Sequence, residues 1–192
     1  MHRLVKRLAG LLAVAFAAAL MLSALTIMAR ADAASDRATL DKLFAQLKAA
    51  PDAPTAEAIG QQIWRIWLIP SDPELAGRMS AVLEAQHESN YQAELTLLNK
   101  LVIDYPNYAE GWNQLATLQY MLQNFDDSLA DIDRVLSIVP RHFGALSGRV
   151  LIYLAQGNRP MALRAMVAAL AVDPFLAEKA LFPELRQPST QI

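Results

Sequence analysis

The sequence predicts an all-α protein assembled from successive antiparallel helix pairs. Three observations carry this. Hydrophobic residues make up 54% of the chain and charged residues 19%, enough apolar surface for a sizeable core. Ala and Leu dominate while Gly occurs only 7 times, a composition of helix formers. Pro106, Pro140 and Pro174 recur at a constant lag of 34, and several apolar columns share that lag.

The chain opens on a positive leader, Met-His-Arg-Leu-Val-Lys-Arg, followed by a long apolar run from Leu8 to Ala29. Small residues follow, with A-x-A patterns at Ala29–Ala31 and Ala31–Ala33. A positive head, an apolar middle and a small-residue exit predict a secretory signal peptide over 1–33. The run is also long enough to span a bilayer, so an uncleaved membrane anchor through residues 8–29 is the alternative. Either way the basic flank keeps the N-terminus cytoplasmic and the body is exported, which predicts a periplasmic location, soluble or anchored at the inner membrane.

Residues 34–74 are helical but off the repeat pattern. Leu40, Leu43, Phe44 and Leu47 form one stripe; Ile59, Ile63, Trp64, Ile66 and Trp67 form another. Pro51–Pro54 reads as the linker and Thr55 as the N-cap of the second helix. These two helices are expected to cap the N-terminal side of the repeats. Ser71-Asp72-Pro73-Glu74 then reads as a cap, a proline in the first turn and an acid.

Three units follow: 75–108, 109–142 and 143–176. The lag of 34 aligns Leu95, Leu129 and Leu163, then Leu98, Ile132 and Met166, then Val102, Leu136 and Leu170. Tyr91 and Phe125 share a column that Arg159 breaks. In the middle unit Trp112, Leu115, Ala116 and Leu118 make one helical stripe. Asn124 marks a turn, and Phe125, Leu129, Ile132, Val135 and Leu136 make the second stripe. Pro140 stops it. The third unit repeats this with Leu146, Val150 and Tyr153, a Gly157-Asn158 turn, then Ala162 to Pro174. Phe175–Phe182 is expected to be a short closing helix, with a loose tail from Gln187.

This pattern resembles the tetratricopeptide repeat (TPR), whose signature runs W-x2-L-G-x2-Y, then A-x3-F, then P. Trp112, Leu115 and Pro140 match in the middle unit; Tyr153, Ala162 and Pro174 match in the third. Ala116 stands for Gly, Met166 for Phe and Gln119 for Tyr, while Ser128 and Glu94 replace the small Ala and Arg149 replaces a core Leu. The stretches Leu40–Pro51 and Pro140–Leu146 look more narrowly like exported repeat proteins of alpha-proteobacteria. The resemblance implies a right-handed solenoid whose first helices line a groove for a protein or peptide segment. It places Met79, Leu83 and His87, then Glu110, Asn113, Thr117, Tyr120 and Met121, then Ser147, Leu151 and Leu154 on that groove. Tyr120, Asn113 and Met121 are the best-placed contacts.

Other chemistry finds little support. The chain has no Cys, which excludes disulfides, thiolate metal sites and Cys nucleophiles. His87 and His142 are the body's only histidines and read as surface or helix-end residues, so no metal or cofactor is expected. Asp126, Asp127, Asp131 and Asp133 read as a solvated helix face with acids near a helix N-terminus. Of 17 basic residues, four lie in the first thirty positions; the other 13 against 19 acids give the body −6, which disfavours nucleic acid. No P-loop, G-x-S-x-G or H-E-x-x-H motif occurs. Trp64 and Trp67 share a helix face, either packed in a core or forming a partner or homo-dimer surface. The function expected is a non-enzymatic scaffold or adaptor of the cell envelope, with a membrane-anchored assembly factor as the alternative and an enzyme as the last of the three readings.

Overall fold

A computed structural model describes residues 35–185, and the predicted signal or anchor segment and the tail from Gln187 lie outside the described residues. The helices are α1 (residues 35–48), α2 (Ala53–Leu68), α3 (Pro73–His87), α4 (Tyr91–Asp104), α5 (Ala109–Met121), α6 (Phe125–Ile138), α7 (Phe143–Ala155) and α8 (Arg159–Leu170). Helices α3/α4, α5/α6 and α7/α8 are the three repeat pairs, and successive pairs stack into a helical solenoid. The expected closing helix is instead a 3₁₀ turn, Ala177–Leu181, followed by another, Pro183–Leu185. Phe182 between them is fully buried against the third unit, and the Arg159 guanidinium lies 5.0 Å from its ring centre. At the column that carries an aromatic residue in the other units, Arg159 thus meets an aromatic ring from the closing turn.

The turn inside each pair repeats as faithfully as the core. Ser89, Gln123 and Gly157 all adopt positive φ (55°, 63° and 71°), and they too share the lag of 34. Each sits just past a helix, where a left-handed residue lets the next amide reach back to the last turn. Those bonds are Asn90 N–H to Ala85 O, Asn124 N–H to Gln119 O and Asn158 N–H to Tyr153 O, at 2.9, 2.9 and 2.8 Å. The three asparagines open the second helices. Asn90 and Asn158 accept from the amides of Ala93 and Met161, whereas the Asn124 side chain donates to Gln119 Oε1 instead. Only Gly157 takes the left-handed conformation without a Cβ penalty.

The column of Glu94, Ser128 and Ala162 is buried in every unit. Ala162 simply fits. Ser128 donates to the Ala116 carbonyl at 2.6 Å. Glu94 leaves one carboxylate oxygen without a partner, and burial pushes its pKa up. Arg149, in the column of buried Leu115, turns outward to pair with Asp133.

Two expectations about α2 need correcting. Its N-cap is Asp52, whose side chain accepts from the Thr55 amide at 2.9 Å, so the helix starts at Ala53 with Pro54 in its first turn. Pro54 supplies a preset φ and needs no donor there. Asp72 caps α3 as expected, accepting from the Glu74 and Leu75 amides. The larger correction concerns where the hairpin sits. Leu43, Phe44 and Leu47 of α1 and Ala56, Ile59, Ile63 and Trp67 of α2 close a core with Phe143 of α7, flanked by Val139, Val172 and Leu176. Only the last turn of α2, through Leu68, joins the core of the first unit. The hairpin thus lies against the second and third units instead of stacking on the end of the first.

Candidate functional site

The hairpin is held by residues at the start of α5 and α7. Tyr108 and His142 are the N-cap residues of those helices and occupy equivalent positions one repeat apart. The Tyr108 hydroxyl donates to the Trp67 carbonyl, and the His142 ring stacks on the Trp67 indole at 3.9 Å with 7° between planes. Burial raises the Tyr108 pKa, so its hydroxyl stays a donor. His142 Nδ1 accepts from the Ala145 amide at 3.2 Å, which leaves the proton on Nε2, 3.0 Å from Glu110 Oε2. Glu110 and His142 are both fully buried side chains. Glu110 Oε1 also accepts from Gln114 at 2.6 Å and from Asn113 at 3.2 Å, so the buried carboxylate is fully satisfied. His142 is therefore a helix-end residue, as one of the two readings had it, but an interior anchor and not a surface one. Trp64 stands edge-on to Phe143 at 5.4 Å and to Trp67 at 5.3 Å, so the two tryptophans pack inward.

Next to Trp64 a groove of about 330 Å³ remains open over α5 and α7. Five predicted residues meet there: Asn113, Thr117 and Tyr120 from α5, Ser147 and Leu151 from α7. Tyr120 is propped by the Phe125 ring at 5.9 Å, and Ser147 donates to Glu178. The others fall elsewhere. Met79 is fully buried in the core of the first unit, which Leu68 from the end of α2 also joins, and Leu83 packs against the same core. Glu110 is sequestered by His142. Leu154 packs into the third unit. His87 and Met121 are exposed at helix ends and do not line this groove.

Trp64, Phe143, Gly144 and Glu178 border the groove and were not among the predicted residues. A signal for two of them was present: Glu110, Gly144 and Glu178 form one column at lag 34, as do Tyr108, His142 and Leu176.

A larger hollow of about 900 Å³ separates α1 from the loops over 104–109 and 138–141. Phe44, Trp67, Tyr105 and Val139 wall it, and Arg37 and Asp36 stand at its edge. Among the described residues the buried Trp67 Nε1 has no hydrogen-bond partner. Among the described residues no group of three or more His, Asp or Glu is placed to hold a metal ion, and no helix is long and apolar enough to cross a membrane.

No protein-family model matches the chain. A TPR repeat-containing protein of Rhizobium etli is 36% identical over 140 residues, covering 73% of this chain and 69% of that protein. Solved structures of MamA align at low identity. One from MSR-1 is 16% identical with a TM-score of 0.48, covering 73% of this chain and 97% of that one. One from AMB-1 is 17% identical with a TM-score of 0.48, covering 79% and 100%. With its repeat period of 34 and its Rhizobium relative, the chain belongs to the TPR repeat-containing proteins.

Proposed function

We propose that this protein is a non-enzymatic scaffold that binds a segment of another protein in the open groove over α5 and α7, in the bacterial cell envelope. The observation that carries the reading is the convergence of Asn113, Thr117, Tyr120, Ser147 and Leu151 on one groove. Its apolar floor, with an amide, hydroxyls and a phenol at the edges, suits a peptide that buries one or two apolar side chains and presents its backbone to polar groups. The envelope location rests on the leader of residues 1–33, whose features predict export. A retained anchor is supported by the length of the apolar run from Leu8 to Ala29. Mass spectrometry of the mature N-terminus separates the two: a start near Asp32 or Ala34 marks cleavage, and an intact Met1 region marks an anchor.

The binding test is crosslinking and affinity capture with the full chain in the exporting cell. Asn113 is buried against Glu110, so it makes a poor probe. Tyr120→Ala with Leu151→Arg alters the groove and leaves the buried cluster alone. Loss of a partner captured by the parent chain supports the reading; an unchanged set of partners rejects it.

A further inference from the structure

We propose that α2 is a built-in occupant of the TPR groove, and that the incoming partner is an amphipathic helix carrying two large aromatic residues three positions apart, which displaces it. This rests on the groove-binding reading above and says what the groove accepts. What is seated over the start of α5 and α7 is a helix whose Trp64 and Trp67 share one face. Trp67 takes the His142 ring face-on and offers its carbonyl to Tyr108. Trp64 lies so close to Gly144 that a Cβ there would meet its ring at 2.6 Å. Both helix-start columns are therefore shaped to receive aromatic side chains from a helix. The open groove continues from Trp64 along α5 and α7, so a longer ligand helix would reach Tyr120 and Leu151 where α2 does not.

The occupant fits its own groove incompletely. A solvent-open hollow of about 900 Å³ separates α1 from the repeat loops, and among the described residues no protein group accepts from the buried Trp67 Nε1. The direct polar tie from α1 to the repeats is the Arg141–Asp41 ion pair, which is exposed and so contributes little. The hairpin continues into α3 through Ile69–Asp72, where Ile69 is 66% exposed and Ser71 bonds back to the Asp36 carboxylate of α1, so any release moves the hairpin and this linker together about the start of α3. Tethering keeps α2 at an effective concentration on the order of millimolar, so a weak contact in cis suffices to keep α2 over the helix starts, at one end of the groove, until a better helix arrives.

The test uses the full chain and a fluorescein-labelled synthetic peptide of Ala53–Leu68, read by anisotropy. Trp67→Ala weakens the tethered copy; Asp41→Cys with Arg141→Cys, joined by a short bismaleimide, locks it, and the absence of native cysteines makes that linkage specific. The expected result is at least tenfold tighter peptide binding to Trp67→Ala than to the parent, and none to the locked chain. Equal binding by locked and unlocked chains, or none by a folded Trp67→Ala chain, overturns the proposal. Should Trp67→Ala not fold by circular dichroism, Asp41→Ala decides the question, with a severalfold gain expected and no gain refuting it. Conversion of Trp67→Ala to a dimer in sedimentation would make the occupant a second copy of this chain and overturn a foreign helix. If the locked chain captures the same cellular partner as the parent, this inference fails while the groove-binding reading stands.

Discussion

Gly144→Ala tests the seating of the hairpin with a single methyl group. An ideal Cβ at Gly144 would stand 2.6 Å from Trp64 Cη2 and 2.7 Å from Cζ2, far inside van der Waals contact. The ring has little room to yield, because Trp67, Phe143 and His142 all meet it edge-on at 5.3, 5.4 and 5.8 Å. Overpacking of this kind costs about 1–3 kcal/mol, offset by roughly 0.5 kcal/mol of better helix propensity near the start of a helix. A net loss of about 1–2 kcal/mol follows. Gly148, one turn further along α7, is the control: its nearest neighbour is Ile132 Cδ1 at 3.4 Å. There alanine fits, and a gain of about 0.5–1 kcal/mol is expected. Urea unfolding followed by circular dichroism and by tryptophan fluorescence measures both. Adding Trp64→Leu to Gly144→Ala removes the clash, so the two changes together cost less than their sum. If Gly144→Ala proves as stable as Gly148→Ala, with unchanged fluorescence, Trp64 does not sit where we describe it.

Gln123→Gly relieves a left-handed residue just past α5 and is expected to stabilise the chain by about 0.5–1 kcal/mol, measured as a higher urea midpoint. Glu110→Ala leaves His142, Asn113 and Gln114 facing an empty buried site, and is expected to cost about 3 kcal/mol in the same assay. Asp131 is partly buried, and that burial, with the Asp127 carboxylate nearby, pushes its pKa from 3.8 up to about 6. A carboxyl whose folded value is raised contributes fully below its unfolded value and loses that contribution as pH rises through the folded one. Asp131→Asn is therefore expected to be more stable than the parent at pH 7 by about 1 kcal/mol, allowing for its partial exposure. Thermal melts should show that advantage shrinking from pH 6 and gone below pH 4.

The sequence made the repeats legible because a stacked array copies its core contacts from one unit to the next. Leu98, Ile132 and Met166 recur for the same packing reason, and the proline column marks the same helix stop. Local chemistry was legible too, as at Asp72-Pro73, where a cap and a first-turn proline need only neighbouring residues. Placement of the hairpin was not, because its contacts are non-local: Trp67 meets Tyr108, 41 residues away, and Asp41 meets Arg141, 100 residues away. Periodicity reports what one unit shares with the next, and nothing in it says that a non-repeat helix will lie across two units. The same gap explains the groove assignments. Met79 and Asn113 share a column, yet Met79 is core in the first unit, in a cluster that Leu68 of the non-repeat α2 also joins. The place of Glu110 on a first helix predicts a groove residue, but its partner His142 lies beyond the following helix, at the start of α7.

Native-state hydrogen exchange on the full chain tests most directly whether α2 is a docked yet releasable occupant. Amides of the last turns of α2, Ile63 to Leu68, are expected to be protected, but to exchange through an opening of lower free energy than those of α5 and α7. Unprotected α2 amides would show that the helix does not occupy the groove, and protection equal to that of α5 and α7 would show that it does not leave.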